Sequence, residues 1–338
     1  MAEEPESAHD VLRMGIAYFQ SKVLLSAVEL EVFTRLARGS ATEAELRTEL
    51  GLHGRAARDF LDALVALGLL RRDRGRYENA PVADTYLDAG KPTYCGGFLT
   101  MLDRQFVKWG ELTRLLREGG VDYPVEQEEE QHDDMHGDPA RLRRFMSAMD
   151  AINQFSGPAV AESYDWSGRR LFADLGGARG NVAAELVKAH PELNGIVMDL
   201  PAVRPVFEEH VDGLGLSDRL AFRGGDFFND PLPEADVLLF GHVLHDWSPH
   251  LRAKLIERAY AALPPGGDLL VYDVMIDDDR RDNDFGLLTS LHMMLVSPGG
   301  GEYTAEDCRG WMRDAGFAET RTVHLTGIDT LVIGGKAR

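Results

Sequence analysis

In the second half of the chain, short apolar runs alternate with longer stretches of helical periodicity. The runs lie at 171–175, 195–199, 220–222, 237–240 and 268–274, and each is nearly continuous in apolar character. Runs without an in-out alternation mark strands buried on both faces of a parallel sheet. Helical patterns are predicted between them. One follows Gly180 with Val182, Leu186 and Val187 and stops at Pro191, another covers 203–211, and a third covers 250–263. Two late strand-like segments, 318–325 and 329–334, predict a terminal hairpin. Repeated strand-helix-strand units imply an α/β fold with a mostly parallel sheet and right-handed crossovers.

The first half reads as helix. Val23, Leu24, Ala27, Val28, Leu30, Val32 and Phe33 form a strongly apolar segment, and Thr42-Glu43-Ala44-Glu45 is a capping-box start. A third helix is predicted over 56–67, closed by Gly68, and a small hairpin over 69–77 about Asp73-Arg74-Gly75. Three helices and a wing make a winged-helix layout. That layout serves DNA binding, with Arg55, Arg58, Arg71, Arg72, Arg74 and Arg76 as its basic surface, or a dimerisation module that only shares the fold. The helices at 23–33 and 60–70 carry more apolar surface than so small a unit needs, so a homodimer is expected. Further helix is predicted over 93–117, then a polar loop over 119–138 containing Glu126, Glu128, Glu129, Glu130, Asp133 and Asp134. Asp138-Pro139 restarts a helix with the stripe Leu142, Phe145, Met146, Met149, Ile152 and Phe155. The stripe is core and, just ahead of the first long strand, also a candidate pocket wall. The expected division is 1–90, a winged-helix dimerisation domain; 91–165, a helical linker and pocket region; and 166–338, the α/β domain.

With 338 residues the chain is long enough for more than one core. Lys and Arg total 36 against 56 Asp and Glu, a net charge of −20. So acidic a balance argues against nucleic acid and anionic membranes as partners. Cys95 and Cys308 are too few for a disulfide framework. The acidic N-terminus has no signal-peptide pattern, and no run reaches the roughly 18 apolar residues of a membrane span, so a cytoplasmic location is expected.

Candidate chemistry gathers where the strands end. After 171–175, Gly176 and Gly177 allow a sharp turn and close approach to a ligand, and a helix follows. The next strand ends in Asp199, about 20 residues on, where a ribose diol would be held. Asp174 just before the turn disfavours a pyrophosphate and suits a cationic sulfonium or amino group, which makes a nicotinamide oxidoreductase the poorer reading. In Gly224-Gly225-Asp226-Phe227 the carboxylate could accept from an adenine amino group while the ring packs on the purine; as a plain turn, Asp226 would be a cap. His242 and His245 follow the fourth strand. A histidine there could take a proton from a hydroxyl. Their spacing also permits metal binding, but no third clustered ligand is evident and none is expected. Asp273 or Glu302 could hold the imidazole's second nitrogen.

Together DLGGARG, MDLP, GGDFF, LHDW, ALPPGG and PGGGEYTAEDCRGWMRDAGF resemble the class I S-adenosylmethionine-dependent small-molecule O-methyltransferases of plant caffeate and isoflavone type. Bacterial members tailor aromatic polyketides and related natural products. Nearly the whole chain takes part, including KVLLSAVELEVF and FLDALVALGLL of the dimerisation domain. The resemblance implies a Rossmann-like methyltransferase domain, with Gly176, Gly177, Asp199, Asp226 and Phe227 holding S-adenosylmethionine. It makes His245 the general base, Asp273 and Glu302 its orienting acids, and Phe145, Met149, His292 and Met293 the lining of an aromatic acceptor's pocket. Two departures stand out. Ala178 replaces the third glycine of the motif, and Gly241 stands where many relatives carry Lys or Arg on the adenine side, leaving His242 as a candidate substitute. Against this stand a family member drifted to hydroxylation or decarboxylation, and a ligand-sensing DNA-binding regulator.

Overall fold

The computed structural model describes residues 4–119, 139–325 and 327–338. The acid-rich segment and Asp138 lie outside the described residues. Two compact units emerge, one of Ala2–Val107 with Ser147–Ile152, the other of Lys108–Met146 with Asn153–Arg338.

The first unit packs short helices around a three-stranded antiparallel sheet. Thr42 caps Glu43–Leu50 through the reciprocal bonds its sequence predicts, with Glu45 returning to the Thr42 amide at 2.7 Å. The strands are β1 (Ala41–Thr42), β2 (Leu70–Asp73) and β3 (Arg76–Asn79), in the order β1-β3-β2. Asp73 pairs with Arg76, so the hairpin turns on Arg74-Gly75 alone, both at positive φ. Phe33, Leu46, Leu61, Leu64 and Leu70 are fully buried. The apolar helices at 23–33 and 60–70 are therefore mostly this unit's own core. The surplus apolar surface lies earlier: helix Ala8–Gly15 buries no residue, and Val11, Leu12, Met14, Ile16, Tyr18 and Phe19 are all at least half exposed. By length and composition alone Ala8–Glu29 is long and apolar enough to cross a membrane, an 18-residue window of it having a mean hydropathy of 1.2. Its chain breaks at Ile16 and Ala17 into two helices, Ala8–Gly15 and Tyr18–Glu29. Four of the six arginines of the expected basic surface face acids: Arg58 to Glu43, Arg72 to Asp62, Arg74 to Asp73 and Arg76 to Glu45. The single helix expected over 93–117 is divided into Gly96–Gln105, a 3-10 segment Phe106–Glu111 and Leu112–Glu118. Gly110, a weak helix former, sits in the break.

The second unit is built on seven strands: β4 (Leu171–Leu175), β5 (Asn194–Asp199), β6 (Leu220–Gly224), β7 (Val237–Gly241), β8 (Asp268–Asp273), β9 (Glu319–His324) and β10 (Thr330–Gly335). Their order is β6-β5-β4-β7-β8-β10-β9, with β4 through β8 parallel and the terminal hairpin antiparallel. Successive residues alternate between two apolar layers. Ala173, Leu175, Leu238, Phe240, Leu269 and Val271 enter one core, and Phe172, Val237, Leu239, Leu270 and Tyr272 enter the other. Both faces are covered, which is why the strands lack polar alternation. From β4 the chain builds outward to β6 on one side, then returns to lay β7 and β8 on the other. A crevice opens between the strand ends at such a reversal, and ligands of open α/β sheets bind there. Two helices between β8 and β9, Asp284–Val296 and Ala305–Ala315, were not expected; the second does carry a helical signal, with Thr304 as its cap and Ala305, Cys308 and Met312 buried along one side. The first carries Phe285, Leu287, Leu288, Leu291, Met293, Met294 and Leu295 on no single stripe.

Candidate active site

At the end of β4 the backbone turns through Gly176 at φ +77. A Cβ there would lie 2.8 Å from Val243 Cγ2 and 3.5 Å from Phe227 Cε1, so the turn from β4, the loop after β6 and the loop after β7 meet at one corner. At Gly177 a Cβ would run into the Asp174 carboxyl at 2.5 Å. Ala178 adopts a left-handed φ of +51, a cost of about 1–2 kcal/mol for a residue with a side chain. Its amide donates to Asp199 Oδ2 at 2.8 Å, and the Leu200 amide to Oδ1 at 2.7 Å. Asp199 thus ties the end of β5 to the glycine turn while staying partly exposed. Burial pushes Asp174 up to about 7, and the nearby Asp199 charge adds to it. The cradle fits an adenosyl cofactor: bare backbone at the turn, a carboxylate at the β5 end and the Phe227 ring beside the turn.

Asp226 is drawn into its own loop. Oδ1 accepts from the Phe228 amide at 2.8 Å and Oδ2 from Asn229 Nδ2 at 2.6 Å. Phe227 packs edge-on against Phe228, Phe240 and Trp247.

The loop after β7 carries the two histidines toward the end of β8. His245 Nδ1 lies 2.8 Å from Glu302 Oε1 and 3.6 Å from Asp273 Oδ1. Between the two acids left open by the sequence, Glu302 makes the direct contact. Asp273 is fully buried and accepts from the Tyr303 hydroxyl, while the Glu302 amide donates to Ser290 Oγ at 3.0 Å. Burial favours a neutral His245, but the Glu302 and Asp273 carboxylates outweigh it and push its pKa up to about 10. Burial likewise drives Asp273 up to about 6, against the pull of His245.

His242 is left-handed, φ +52, and its ring stands edge-on to Tyr272 at 5.1 Å. Its Nε2 is 3.5 Å from Asp329 Oδ2 and its Nδ1 3.8 Å from Asp273 Oδ1. Asp329, on the approach to β10, accepts from Ser156 Oγ at 2.6 Å. Burial opposes an imidazolium at His242, yet Asp329 and Asp273 raise its pKa. The side chain therefore faces buried acids at 3.5–3.8 Å. A side chain at Gly241 would force the Tyr272 ring to shift, since a Cβ would lie 2.2 Å from it. The third clustered ligand absent from the sequence pattern is also here: ligand atoms of His242, His245 and Asp273 lie within 4.8 Å of one another.

The residues expected to line an acceptor pocket fall on separate elements. Met293 is buried in Asp284–Val296. His292, beside it, accepts at Nδ1 from Trp109 Nε1 at 3.2 Å, and burial lowers its pKa. Phe145 packs against the Leu142, Met146, Val203 and Val206 cluster that also holds Ala178. Met149 belongs to Ser147–Ile152 and hence to the other unit. Trp109, Val243, Tyr272, Tyr303, Ser290 and Asp329 were not singled out from sequence. Only Tyr303, next to Glu302 in the quoted motif, carried a usable signal.

A family model described as the O-methyltransferase domain matches residues 109–318, and one described as the O-methyltransferase dimerisation domain matches 14–89. The chain is 47% identical over 331 residues, 97% of each protein, to the tetracenomycin polyketide synthesis 8-O-methyl transferase TcmO of Streptomyces glaucescens. It is 39% identical to the N,N-dimethyltransferase OxyT of Streptomyces rimosus, over 97% of this chain and 96% of that one. Its fold superposes on human N-acetylserotonin methyltransferase in complex with S-adenosylmethionine with a TM-score of 0.90, at 29% identity and full coverage of both chains.

Proposed function

Because the chain belongs to the S-adenosylmethionine-dependent O-methyltransferase family, we propose that it methylates a phenolic hydroxyl of an aromatic small molecule, with His245 as general base and no metal. The observation that carries this reading is His245 held at Nδ1 by Glu302 at 2.8 Å, which leaves Nε2 as the proton-accepting atom. Bound S-adenosylmethionine supplies a methyl group already activated for displacement. Gly176, Gly177, Asp199 and Phe227 hold it, Asp199 taking the ribose; Asp226 acts there chiefly by shaping the loop that presents Phe227. His245 takes the acceptor's proton, and Glu302 and Asp273 stabilise the imidazolium that results. A phenol has a pKa of about 10, so the proton moves between groups of matched affinity when the base is as strong as His245. A metal on His245 Nδ1 would have to displace Glu302, and a sulfonium needs no Lewis acid. Phe145, His292 and Met293 are assigned to the acceptor. The named activity of TcmO supports a bacterial polyketide as that acceptor and a role in antibiotic biosynthesis. The dimerisation-domain match and the exposed Val11–Phe19 face support a cytoplasmic homodimer rather than a membrane segment.

The test is incubation with methyl-labelled S-adenosylmethionine and a panel of phenols, aromatic amines and aliphatic alcohols, with and without chelator. Mass gain of one methyl on phenols, matched by S-adenosylhomocysteine and insensitive to chelator, is expected. Transfer to amines alone would reject the phenolic reading and ally the protein with OxyT; oxygen gain or carbon dioxide loss would reject methyl transfer.

A further inference from the structure

Arg252, on helix Pro249–Ala262, is 3% exposed, and its guanidinium is spent on main-chain carbonyls. Nε donates to Leu244 at 2.9 Å and to Trp247 at 2.7 Å, and Nη2 donates to Gly301. The first two carbonyls lie on either side of His245. The third belongs to the residue before Glu302. The guanidinium also lies 4.8 Å from the ring centre of Tyr303, whose hydroxyl donates to Asp273, and 5.8 Å from that of Trp311. One buried cation therefore touches the segments bearing His245 and Glu302 and the ring that partners Asp273. A second tie runs the same way, from the Gly301 amide to the His245 carbonyl at 2.9 Å.

Burying a guanidinium is expensive, and an apolar side chain would fill the space more cheaply. What only Arg supplies is a rigid fork of donors that fixes several acceptors in one geometry. The carbonyls it takes close a short 3-10 turn, Leu244–Asp246, and a loop held by Gly300 and Gly301. Neither segment is long enough to hold its own shape, yet the 2.8 Å contact between His245 and Glu302 depends on both.

We propose that Arg252 is a positioning residue for the methyl-transfer base, clamping the His245 turn to the Glu302 loop so that the imidazole keeps its carboxylate partners. This rests on the general-base reading of His245. Loosening the clamp should withdraw Glu302 from Nδ1, lowering both the basicity and the orientation of the imidazole. Lys in its place, a point charge on a flexible stem, would not hold both segments with the same rigid fork.

The test is a double-mutant cycle of Arg252→Lys and His245→Ala in the full chain, read by single-turnover methyl transfer, S-adenosylmethionine affinity and the imidazole titration of His245 by NMR. Compared at a pH where His245 is neutral in both proteins, Arg252→Lys should slow transfer by about 10–100-fold, the scale of a small misplacement of a reacting group. Cofactor affinity should be unchanged, and the His245 titration should move down toward ordinary histidine. In the His245→Ala background the same substitution should cost nothing further. Additive losses, or an unmoved His245 titration, would overturn the clamp while leaving the base reading intact. A wild-type rate for His245→Ala alone would remove the base reading and the clamp with it. Arg252→Met, which deletes the fork altogether, should be slower than Arg252→Lys per folded molecule; equal or faster transfer would also count against the clamp.

Discussion

His245 is set apart from an ordinary histidine by two buried carboxylates within 3.6 Å of one ring nitrogen. Their charge has a consequence for pH. The imidazole must be neutral to act as base, so the transfer rate should climb with pH between the ordinary histidine value of about 6.5 and about 10. Glu302→Gln removes the nearest negative partner, and the rising limb should move to lower pH, with a weaker base and a lower plateau. A limb that stays in place in a pH–rate series would show that Glu302 does not tune His245. Asp199 makes a separate prediction. Asp199→Ala should weaken S-adenosylmethionine binding by roughly 1.5–3 kcal/mol, the worth of a hydrogen bond to a charged group. It also frees the Ala178 amide, so calorimetry should be paired with a thermal-stability measurement. An unchanged dissociation constant would remove Asp199 from the cofactor site.

Among the elements, β7 and the loop that follows it decide most. Gly241 ends the strand against the Tyr272 ring, where even a methyl group would overlap. Gly241→Ala should therefore destabilise the protein by about 1–3 kcal/mol, read from the denaturant midpoint. A neutral result would mean that Tyr272 moves freely. Much of this layer was legible in the sequence. Four of the five parallel strands showed as apolar runs because both faces of the sheet are covered there, the edge strand β6 being covered on one face, and Thr42 and Gly68 marked helix ends by local rules. His245, Asp273 and Glu302 were legible as candidates because strand ends and glycine loops announce themselves. Their arrangement was not. Glu302 is 57 residues from His245 in sequence, and nothing local states which acid touches Nδ1. That His242 faces Asp329 was not legible either, because the left-handed backbone that turns its ring there has no sequence signature. Helix Asp284–Val296 escaped for a similar reason: apolar residues all round it give no stripe.

For the whole molecule, the exposed apolar face from Val11 to Phe19 has to be covered. Light scattering should give a homodimer at micromolar concentration, and Leu12→Asp with Phe19→Asp should shift it toward monomer. A wild-type monomer would contradict this. Stability should also report the buried cluster. His245 has a folded-state pKa above its unfolded value, so its contribution is present in full below pH about 6.5 and is lost as pH rises through about 10. The melting temperature should fall over that window, and fall less in Glu302→Gln, where the raised pKa is relieved.

The most direct test of the account is the single-turnover rate of His245→Ala on two acceptors, a phenol and its fluorinated, more acidic counterpart, at pH about 9, where a share of His245 is neutral and the ordinary phenol is still mostly protonated. A positioned base is worth about 10²–10⁴-fold, and the substitution should cost that much on the ordinary phenol with cofactor affinity nearly unchanged. The loss should shrink on the fluorinated phenol and at high pH, where the acceptor ionises unaided. Wild-type rates for His245→Ala on the ordinary phenol would contradict the account: catalysis would then be positioning alone, and His245 would not be its base.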